Sequence, residues 1–578
     1  MNWYYVVIEL LCWLLVFVML RHMFYRGMSL VHIFQQSGYK VNELIQWLAR
    51  HWSEVLIPMS HLGLVLLTLS IFYFFSDTLT TTAITLILIV FCISWFWDVS
   101  QYKRDKVKKP LVLTPRAIRL SIGFAFLSAL IPITGTWVAF EQGALFPVIS
   151  LLVFSWVFGS LFLPYLLILT AILLLPLEKW IQFRFKQQAR KKIASMPELK
   201  VVAITGSYGK TSTKFLVSAI LEERYRVCTT PGSYNTPMGI CKVINQDLKP
   251  GDQVLVLEMG ARYKGNIDEL CRIAQPDIAV VTNVGIAHLE SFGSKEAIAQ
   301  TKAAIVRHLK PGGIAVLNGD DAEVVKMTGR DDIKYVKAGL SSEENDLVGS
   351  DITYDEKGCR FIMTRKDSMP VLKDIEGGLQ TNLFQDKSEE VSQGQMEGKT
   401  EVTMSLLGKH SVQNALLAAS ASFALGIRPE TVRVALQKVK PVEHRLELKK
   451  NNGVLVIDDA FNSNPIGAKN AISVLMSFSG GRKFVVTPGM IELGERQEQE
   501  NRMFGMWMAE KNPDHIYLVG LLQTKPILEG LMLGNFDEER VTTVSSLFEA
   551  NSLLQQELKA GDVVLYENDL PDSYNENP

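Results

Sequence analysis

The chain has 578 residues, a formal net charge of −1 and 21% charged residues. This length exceeds what one ordinary hydrophobic core supports, so several domains are expected. The nearly balanced charge argues against nucleic acid as a partner, because nucleic-acid binders usually carry an excess of Lys and Arg.

The first 180 residues are dominated by apolar runs, whereas the remainder has the composition of a soluble α/β protein. Five of these runs are about long enough to cross a hydrocarbon layer of ~30 Å. They are Tyr4–Met19, Val55–Phe75, Thr80–Trp97, Leu120–Phe140 and Phe146–Leu175. The sequence therefore predicts a polytopic α-helical membrane region over residues 1–195, with about five spans.

Basic residues predict the orientation of these spans. Lys and Arg follow the first span, separate the third from the fourth and follow the fifth, whereas the loops at 76–79 and 141–145 contain neither. The positive-inside rule then places the N-terminus outside and the soluble part on the cytoplasmic side of the cell membrane. The first run could instead be a signal peptide, but Arg21 and His22 stand where cleavage needs small residues, which favours an anchor.

Between the first two runs, residues 27–52 carry apolar side chains at nearly helical spacing, with Tyr39 and Trp47 interleaved. This pattern fits a pair of interfacial helices on the cytoplasmic leaflet. A connector packed against other spans fits it equally well.

The most specific local feature is Ile204–Ser212, with the sequence I-T-G-S-Y-G-K-T-S. An apolar run before it predicts a buried strand, and Thr213–Glu223 after it has helical periodicity. In such a loop, backbone N–H groups and the helix N-terminus face an anion, the lysine adds charge, and the hydroxyl can reach Mg²⁺. Ile204 stands where the usual phosphate loop has glycine, so a purely structural loop is the alternative for this stretch alone.

From about residue 200 to 340, strand-like and helix-like segments alternate, which is typical of a doubly wound α/β fold. Val254–Leu257, Ile278–Thr282 and Ile314–Leu317 are short apolar runs that predict buried parallel strands. Helical patterns lie between them, for example at Asn266–Ile273 and Lys295–Leu309.

Residues 350–365 and 400–406 have strand-like patterns, separated by a polar stretch, Lys373–Lys399, that predicts a flexible loop or insertion. The helical segment Ser411–Leu425 follows, with Gly426 as its predicted C-cap. The strand pattern then restarts, at Val454–Ile457, Lys483–Val486, His515–Val519 and Val563–Tyr566. These patterns predict a P-loop ATPase domain over residues 196–440 and a Rossmann-like α/β domain over residues 441–578.

Three further side chains stand in positions suited to chemistry. Glu258 ends a predicted strand beside the phosphate loop, where a carboxylate can hold Mg²⁺ directly or through water. His288 lies in a strand-end loop, although a lone histidine is more often a hydrogen-bonded structural residue. Lys302 lies in a helix whose other face is apolar, where a solvated lysine is the ordinary interpretation.

In this order, T-G-S-x-G-K-T, E-M-G-A and T-N-V-G-x-A-H-L-E-x-F-G-S resemble the motifs of Mur ligases, ATP-dependent amide-forming enzymes of cell-wall synthesis. Four more motifs match the family downstream: G-K-H-S-V-Q-N-A-L at 408–416, H-R-L-E at 444–447, I-D-D-A-F-N-S-N-P at 457–465 and G-M-I-E-L-G at 489–494. The resemblance covers roughly residues 198–567. It is strongest to the branch that adds D-alanyl-D-alanine to UDP-N-acetylmuramoyl-tripeptide.

The resemblance implies ATP and Mg²⁺ as cofactors. The nucleotide phosphates would lie on the loop residues Gly206, Ser207, Gly209, Lys210, Thr211 and Ser212. Thr211 or Ser212 would hold Mg²⁺ together with Glu258, and His288 would bind a second ion. Lys302 matches a lysine that is carbamylated in many members, which turns a cation into an anionic magnesium ligand.

Three further roles are implied downstream. Asn414 would meet the adenine, Arg445 would reach the γ-phosphate from the domain junction, and Asp458 would contact the ribose side of the nucleotide. The implied catalytic residues are Lys210, Lys302, His288 and Arg445.

Several positions depart from this branch of the family. Arg262-Tyr263 replaces its usual Asn-His, and Ala303-Ala304 replaces its usual Gly-Glu. Residues 565–572, L-Y-E-N-D-L-P-D, stand in place of V-K-G-S-R, and the apolar region takes the place of the domain that binds the uridine nucleotide. The UDP-sugar is therefore only weakly implied as the acceptor, and a lipid-linked or polymeric cell-envelope acceptor delivered at the membrane is an open alternative.

The sequence thus predicts a membrane-anchored amide ligase that forms an acyl phosphate and joins an amino acid or dipeptide to a carboxylated envelope precursor. A poly-γ-glutamate-synthetase-like ligase is an alternative within the same superfamily. An ATP-driven transport component and a non-catalytic nucleotide-sensing scaffold are alternatives from other classes. Product analysis separates them, because only a ligase releases ADP in response to both acceptor and amine.

Overall fold

The computed structural model describes residues 3–50, 111–141, 145–232, 234–285, 292–341, 344–355, 358–372, 398–440, 446–460, 465–491, 493 and 496–568. Two predicted spans, Val55–Phe75 and Thr80–Trp97, lie outside these residues, as does most of the predicted polar loop at 373–399. The chain divides into two compact units, Met1–Arg184 and Phe185–Pro578.

The described part of the first unit is helical. Its helices are α1 (Trp3–Gln36), α2 (Val41–Arg50), α3 (Pro115–Glu141) and α4 (Leu145–Ala194), the last of which contains the unit boundary. Among the described residues, one stretch, Leu161–Ala194, is long and apolar enough to cross a membrane by length and composition. The structure therefore supports one candidate span, which overlaps the fifth predicted run, and does not support the polytopic region as a whole.

Glycines allow three helices of the first unit to approach closely. A Cβ atom on Gly27 of α1 would lie 2.9 Å from the Phe124 ring of α3. A Cβ atom on Gly123 of α3 would lie 3.1 Å from Thr170 of α4. Close backbone approach at small residues is the common way in which apolar helices pack without polar contacts.

Of the predicted segment 27–52, the described residues 27–50 form a helical pair, but its first member is the end of α1 and not a separate helix. The chain turns at residues 37–39 and continues into α2, which buries Leu44 and exposes Ile45. The predicted helices are thus present, and their placement on a membrane leaflet stays a prediction.

The second unit begins with a nine-stranded sheet. Its strands are β1 (Lys200–Thr205), β2 (Val227–Thr229), β3 (Val254–Glu258), β4 (Ile278–Val281), β5 (Ile314–Asn318), β6 (Lys334–Gly339), β7 (Leu347–Asp355), β8 (Gly358–Arg365) and β9 (Lys399–Met404). Their order is β2-β3-β1-β4-β5-β6-β7-β8-β9. Pairing is parallel from β2 to β7 and antiparallel for β7–β8 and β8–β9. The predicted parallel strands are confirmed.

Helices cover both faces of this sheet. They are α5 (Lys210–Glu222), α6 (Pro237–Lys242), α7 (Asn266–Ile273), α8 (Lys295–Arg307), α9 (Ala322–Val325), α10 (Lys409–Phe423) and α11 (Pro429–Lys438), with a π-helical turn at Val243–Asp247. Successive β1 residues alternate between the two resulting cores, so that Val202 and Ile204 enter one and Val201 and Ala203 the other. Gly426, with φ of 75°, follows α10 as predicted.

A six-stranded sheet completes the second unit. Its strands are β10 (Glu447–Asn451), β11 (Val454–Asp459), β12 (Lys483–Thr487), β13 (His515–Val519), β14 (Val541–Val544) and β15 (Val563–Glu567), in the order β10-β11-β15-β12-β13-β14. Only β10 is antiparallel to its neighbour. The helices are α12 (Pro465–Ser477), α13 (Gln497–Lys511), α14 (Lys525–Leu533) and α15 (Leu547–Glu557), with a 3₁₀ turn at Glu538–Arg540. This is the α/β domain that the sequence predicts.

The last turns of α4 belong to the second unit and pack on its core. Ala189 is fully buried in the core beneath the nine-stranded sheet. Asn245 of the π-helical turn donates its side-chain N–H to the Phe185 carbonyl at 3.1 Å, and its own carbonyl accepts from Lys192 Nζ at 3.0 Å. The sequence-based boundary at 195/196 falls after this segment, because a continuous helix gives no sign of where its packing partner changes.

Candidate nucleotide-binding site

The phosphate loop follows β1, which lies between β3 and β4 in the sheet. The chain crosses from one side of β1 to the other at this point, and such a switch leaves a crevice at the carboxyl ends of the strands. The ends of β1, β3 and β4 therefore bring the loop, Glu258 and the Thr282–Gly285 segment to one edge of the sheet.

Two glycines let the phosphate loop lie against its neighbours. A Cβ atom on Gly206 would lie 1.8 Å from Thr282 Oγ1, and one on Gly209 would lie 2.6 Å from Asn414 Oδ1. Gly209 also has φ of 77°, in the left-handed region that disfavours side chains. Only glycine fits both positions, so the loop is held between the end of β4 and helix α10.

Side chains after β4 determine the shape of the loop. Asn283 Oδ1 accepts from the backbone N–H groups of Ser207 and Tyr208 at 3.1 and 2.8 Å. Thr282 donates its hydroxyl to the Tyr208 carbonyl at 2.6 Å. Asp321, after β5, accepts from Val284 N–H at 2.8 Å and so holds this segment in turn. Sequence analysis did not single out Asn283 or Asp321, although Asn283 lies inside one of the quoted motifs.

Lys210 and Thr211 begin helix α5 directly after the loop, with Ser212 beside them. Lys210 donates from Nζ to the Ser207 carbonyl at 3.0 Å. Burial lowers the pKa of Lys210, and the nearby Glu258 carboxylate opposes that shift. The ammonium group is thus folded back over the loop, where it can meet a phosphate oxygen.

Glu258 is buried at the end of β3, where two hydrogen-bond donors and one cation hold its carboxylate. It accepts from Thr211 Oγ1 at 2.8 Å and from Asn235 Nδ2 at 2.9 Å. Lys214 Nζ lies 3.7 Å from its Oε2 atom. The carboxylate therefore has one orientation, with an oxygen beside the Thr211 hydroxyl at the mouth of the phosphate loop.

Lys214 is a buried cation that sequence analysis missed. Its side chain has no exposure to solvent, and its Nζ donates to the Thr230 carbonyl at 2.6 Å and to the Gly232 carbonyl. Burial lowers its pKa, and Glu258 opposes the shift. The sequence does contain one indication of this position. Lys214 lies one helical turn after Lys210 and is therefore on the same side of α5.

The donor set fits magnesium held jointly with nucleotide phosphates. Within the described residues, no group of three or more His, Cys, Asp or Glu side chains could hold a metal ion. A hydroxyl and one carboxylate, Thr211 and Glu258, nevertheless meet beside the loop. Mg²⁺ is commonly bound by one or two carboxylates with the rest of its shell from phosphates and water, so this pair suffices.

Lys302 is buried in α8, with 4% of its surface exposed, and is not the solvated lysine that the apolar helix pattern would ordinarily carry. Burial, with a smaller contribution from the charge of Lys210, lowers its pKa to about 7. A large part of the population therefore carries a neutral amine at physiological pH.

The remaining predicted site residues lie in several places. Asn414 is buried in α10 beside Gly209, next to the phosphate loop. Asp458 lies at the end of β11 in the second sheet, where it accepts from Lys449 Nζ at 2.6 Å. His288 and Arg445 lie outside the described residues.

Replacing Lys214 by methionine is expected to destabilise the protein by about 3–5 kcal/mol. The change leaves the buried Glu258 carboxylate without its cation and two carbonyl groups without a donor. The exposed Lys326, paired with Glu323 at 2.9 Å, is the control, and Lys326→Met should cost no more than about 1 kcal/mol. Thermal unfolding of the full chain measures both.

A double variant identifies the cause of the Lys214 effect. Adding Glu258→Gln removes the charge that Lys214→Met leaves unpaired, so the double variant should regain part of the lost stability. Additive losses would contradict a direct interaction between the two side chains.

Comparison with known proteins assigns most of the second unit to two domains of one family. Residues 204–422 match the Mur ligase middle domain, and residues 444–566 match the Mur ligase glutamate ligase domain. The chain is 30% identical over 382 residues to UDP-N-acetylmuramoyl-tripeptide–D-alanyl-D-alanine ligase from Bacillus subtilis. The aligned region covers 66% of this chain and 75% of that protein.

Two solved structures have the same fold. MurF from Acinetobacter baumannii aligns with a TM-score of 0.54 and 26% identity, over 67% of this chain and 77% of its own. MurF ligase from Thermotoga maritima in complex with ADP aligns with a TM-score of 0.54 and 28% identity, over 67% and 80%.

Proposed function

The chain belongs to the Mur ligase family of ATP- and Mg²⁺-dependent, ADP-forming ligases, and from that premise we propose that it joins an amino acid or dipeptide to a carboxylated cell-envelope precursor. The observation that supports this proposal is the meeting of Lys210, Thr211 and Glu258 at the carboxyl edge of the sheet. The name of the Bacillus subtilis relative favours peptidoglycan synthesis and a D-alanyl-D-alanine donor.

In the proposed reaction, a carboxylate oxygen of the acceptor attacks the γ-phosphorus of ATP, and ADP leaves with the electron pair of the broken P–O bond. The acceptor is then an acyl phosphate. The amine of the donor attacks the acyl carbon, loses a proton, and expels inorganic phosphate as the amide forms. Both steps develop negative charge on phosphoryl oxygens, which cationic groups stabilise.

Several residues of this chain would bind the phosphates and stabilise that negative charge. The N-terminus of α5 would face the phosphates, and Lys210 would add a positive charge there. Thr211 and Glu258 would hold Mg²⁺, which supplies charge neutralisation at the phosphoryl oxygens. Asn283 preserves the loop shape, because its amide bonds to Ser207 and Tyr208 hold the backbone in place.

Lys302 is proposed to act as a carbamate. Carbon dioxide reacts with a neutral amine, and burial holds the pKa of Lys302 at about 7, so the reactive form is abundant. Carbamylation replaces a buried cation by an anion, which can hold Mg²⁺ near Lys210. Arg445, His288, Asn414 and Asp458 keep the roles that the family resemblance implies, as proposals.

Membrane attachment through the first unit is the second part of the proposal. It rests on the apolar stretch Leu161–Ala194 and on exposed side chains such as Ile122 and Phe126, which are 65% and 67% exposed. With the basic residues on one side of the apolar runs, the second unit would lie in the cytoplasm. An acceptor carried by a membrane lipid would then be held at high effective concentration near the ATP site.

Mass spectrometry of envelope precursors tests this function. Soluble UDP-linked and lipid-linked pools would be compared between cells with active protein and cells with Lys210→Ala. Accumulation of a UDP-muramoyl tripeptide in the variant would identify a D-alanyl-D-alanine-adding enzyme. Loss of an amino-acid mass from a lipid-linked or polymeric species would identify a membrane acceptor, and unchanged pools would contradict the proposal.

A further inference from the structure

A cavity of about 170 Å³ lies within the first unit. It is lined by the end of α1, the start of α2, the start of α3 and the part of α4 near residue 175, and it is partly open to the outside. Its wall is apolar at Phe34, Leu120 and Leu174 and polar at Arg116, Glu178 and Lys179. The cavity therefore combines an apolar wall with a charged one.

Hydrogen bonds hold the walls of this cavity together. The Gln35 side chain donates to the Val112 carbonyl at 2.7 Å and accepts from Val112 N–H at 3.0 Å. The Tyr39 hydroxyl lies 3.4 Å from Thr114 Oγ1, which caps α3 by accepting from Ala117 N–H at 3.2 Å. These hydrogen bonds join the segment before α3 to the end of α1, so specific contacts determine the shape of the cavity.

Among the described residues at the cavity, cations outnumber carboxylates. Arg116 and Lys179 line it together with one carboxylate, Glu178, which also pairs with Arg119 outside the lining. Arg119 Nε makes the short contact to Glu178, at 2.7 Å, whereas Arg116 Nε is 3.8 Å from it and its guanidinium lies over the Tyr39 ring at 4.3 Å. Among the described residues, no ion pair engages Lys179. An anion in the cavity would meet Arg116 and Lys179 with favourable charge.

The surroundings of the cavity are apolar and exposed. Ile118 and Ile122 on α3 and Ile172 and Leu173 on α4 are between 44% and 65% exposed. Soluble proteins rarely expose so many neighbouring large apolar side chains. On α4 the charged wall lies between these residues and the exposed Trp180 and Phe183. Basic side chains with apolar stems, flanked by aromatic residues, are typical of the level at which phospholipid head groups meet the hydrocarbon layer.

We propose that this cavity binds the phosphate head group of an anionic lipid, with Arg116 and Lys179 as its contacts. A cavity of this size is smaller than the ~300 Å³ or more of a typical small-molecule pocket, so it suits a head group whose chains lie outside along α3 and α4. The inference rests on the membrane attachment proposed above and identifies the lipid chemistry that the first unit recognises.

Native mass spectrometry of the full chain in detergent tests this site. The probes are dioleoyl phosphatidic acid, dioleoylglycerol with the same chains but no phosphate, and inorganic phosphate alone. We expect phosphatidic acid to be retained at least about tenfold more than dioleoylglycerol, since the difference is a charge-assisted contact. Equal retention of the two lipids, or binding of inorganic phosphate without phosphatidic acid, would overturn the proposal.

Two variants and a control locate the binding. Arg116→Gln removes a cation, and Ala171→Phe fills the cavity without changing its charge; both should abolish the preference for phosphatidic acid. Arg184→Gln removes a cation from α4 outside the cavity and should keep the preference. Equal loss in Arg184→Gln would show general charge attraction and contradict a specific site.

The assay needs neither ATP nor an acceptor, so it is independent of ligase activity. Retention of phosphatidic acid with unchanged precursor pools would refute the proposed function alone. Altered precursor pools without retention would refute the lipid site alone.

Discussion

Lys210→Ala is expected to lower ATP turnover by at least about 10²–10³-fold, the range seen when one preorganised donor to a developing charge is removed. Lys210 Nζ already lies against the phosphate loop, 3.0 Å from the Ser207 carbonyl, so it needs no large rearrangement to meet a phosphoryl oxygen. Alanine removes this charge and leaves the loop glycines and Asn283 unchanged. ADP release in the presence of acceptor and amine, with ATP affinity measured separately, gives the result.

Two comparisons make the Lys210 result specific. Lys249→Ala removes an exposed lysine of the same domain and should leave turnover unchanged. Lys210→Arg keeps the charge but replaces a compact ammonium by a planar guanidinium, and should also be strongly impaired. Unchanged ATP affinity and turnover in Lys210→Ala would overturn the assignment of the phosphate loop.

Lys302→Met is expected to lower turnover at least about 100-fold, because even indirect disturbance of a metal site costs 10–100-fold. The same change is expected to raise thermal stability in carbon-dioxide-depleted buffer. A buried cation is removed, and methionine keeps most of the apolar contacts of the lysine chain. Loss of activity with a gain of stability would separate a functional role from a structural one.

The pH dependence of this gain follows from the pKa of Lys302. In the folded protein the pKa is about 7, and in the unfolded chain it is near 10.4. Below pH 7 both states are protonated, and the full cost of the buried charge, up to about 5 kcal/mol, opposes folding. Between these pKa values only the unfolded chain binds the proton, so wild-type stability rises with pH.

The advantage of Lys302→Met should therefore be greatest near pH 6 and shrink as the pH rises above 7. Lys295→Met, an exposed position on the same helix, should show no such trend. ¹³C NMR with labelled bicarbonate should detect a carbamate in wild type that Lys302→Met lacks. Normal turnover in Lys302→Met would contradict the proposed metal-binding role.

Strands and helices of the second unit follow closely from the sequence because their signals are local. Short apolar runs such as Ile278–Val281 are buried on both faces, and the helix Asn266–Ile273 has the predicted bounds. Motif order along the chain also predicted that Lys210, Thr211 and Glu258 share one site. Parallel strands place their carboxyl ends at one edge, so residues after separate strands meet.

Packing and burial were not predictable in the same way, because they depend on contacts between residues far apart in the chain. Lys214 and Lys302 have the same local patterns as solvated helix lysines, and only the fold buries them. The boundary between the two units, which falls within α4 at residues 184 and 185, likewise depends on contacts between distant residues. So does the charged cavity around Arg116, which several helices line.

By itself, then, the sequence determined the α/β fold class of the second unit, the order of its strands and helices, and its nucleotide-site motifs. Each of these depends on the periodicity of apolar residues or on the spacing of motif residues along the chain. The tertiary structure alone decided which lysine side chains are desolvated and how Glu258 is oriented. It also decided that the positive charges of Arg116 and Lys179 line a cavity. Desolvation and charge balance are properties of a surrounding volume, and distant segments fill that volume only when the chain has folded.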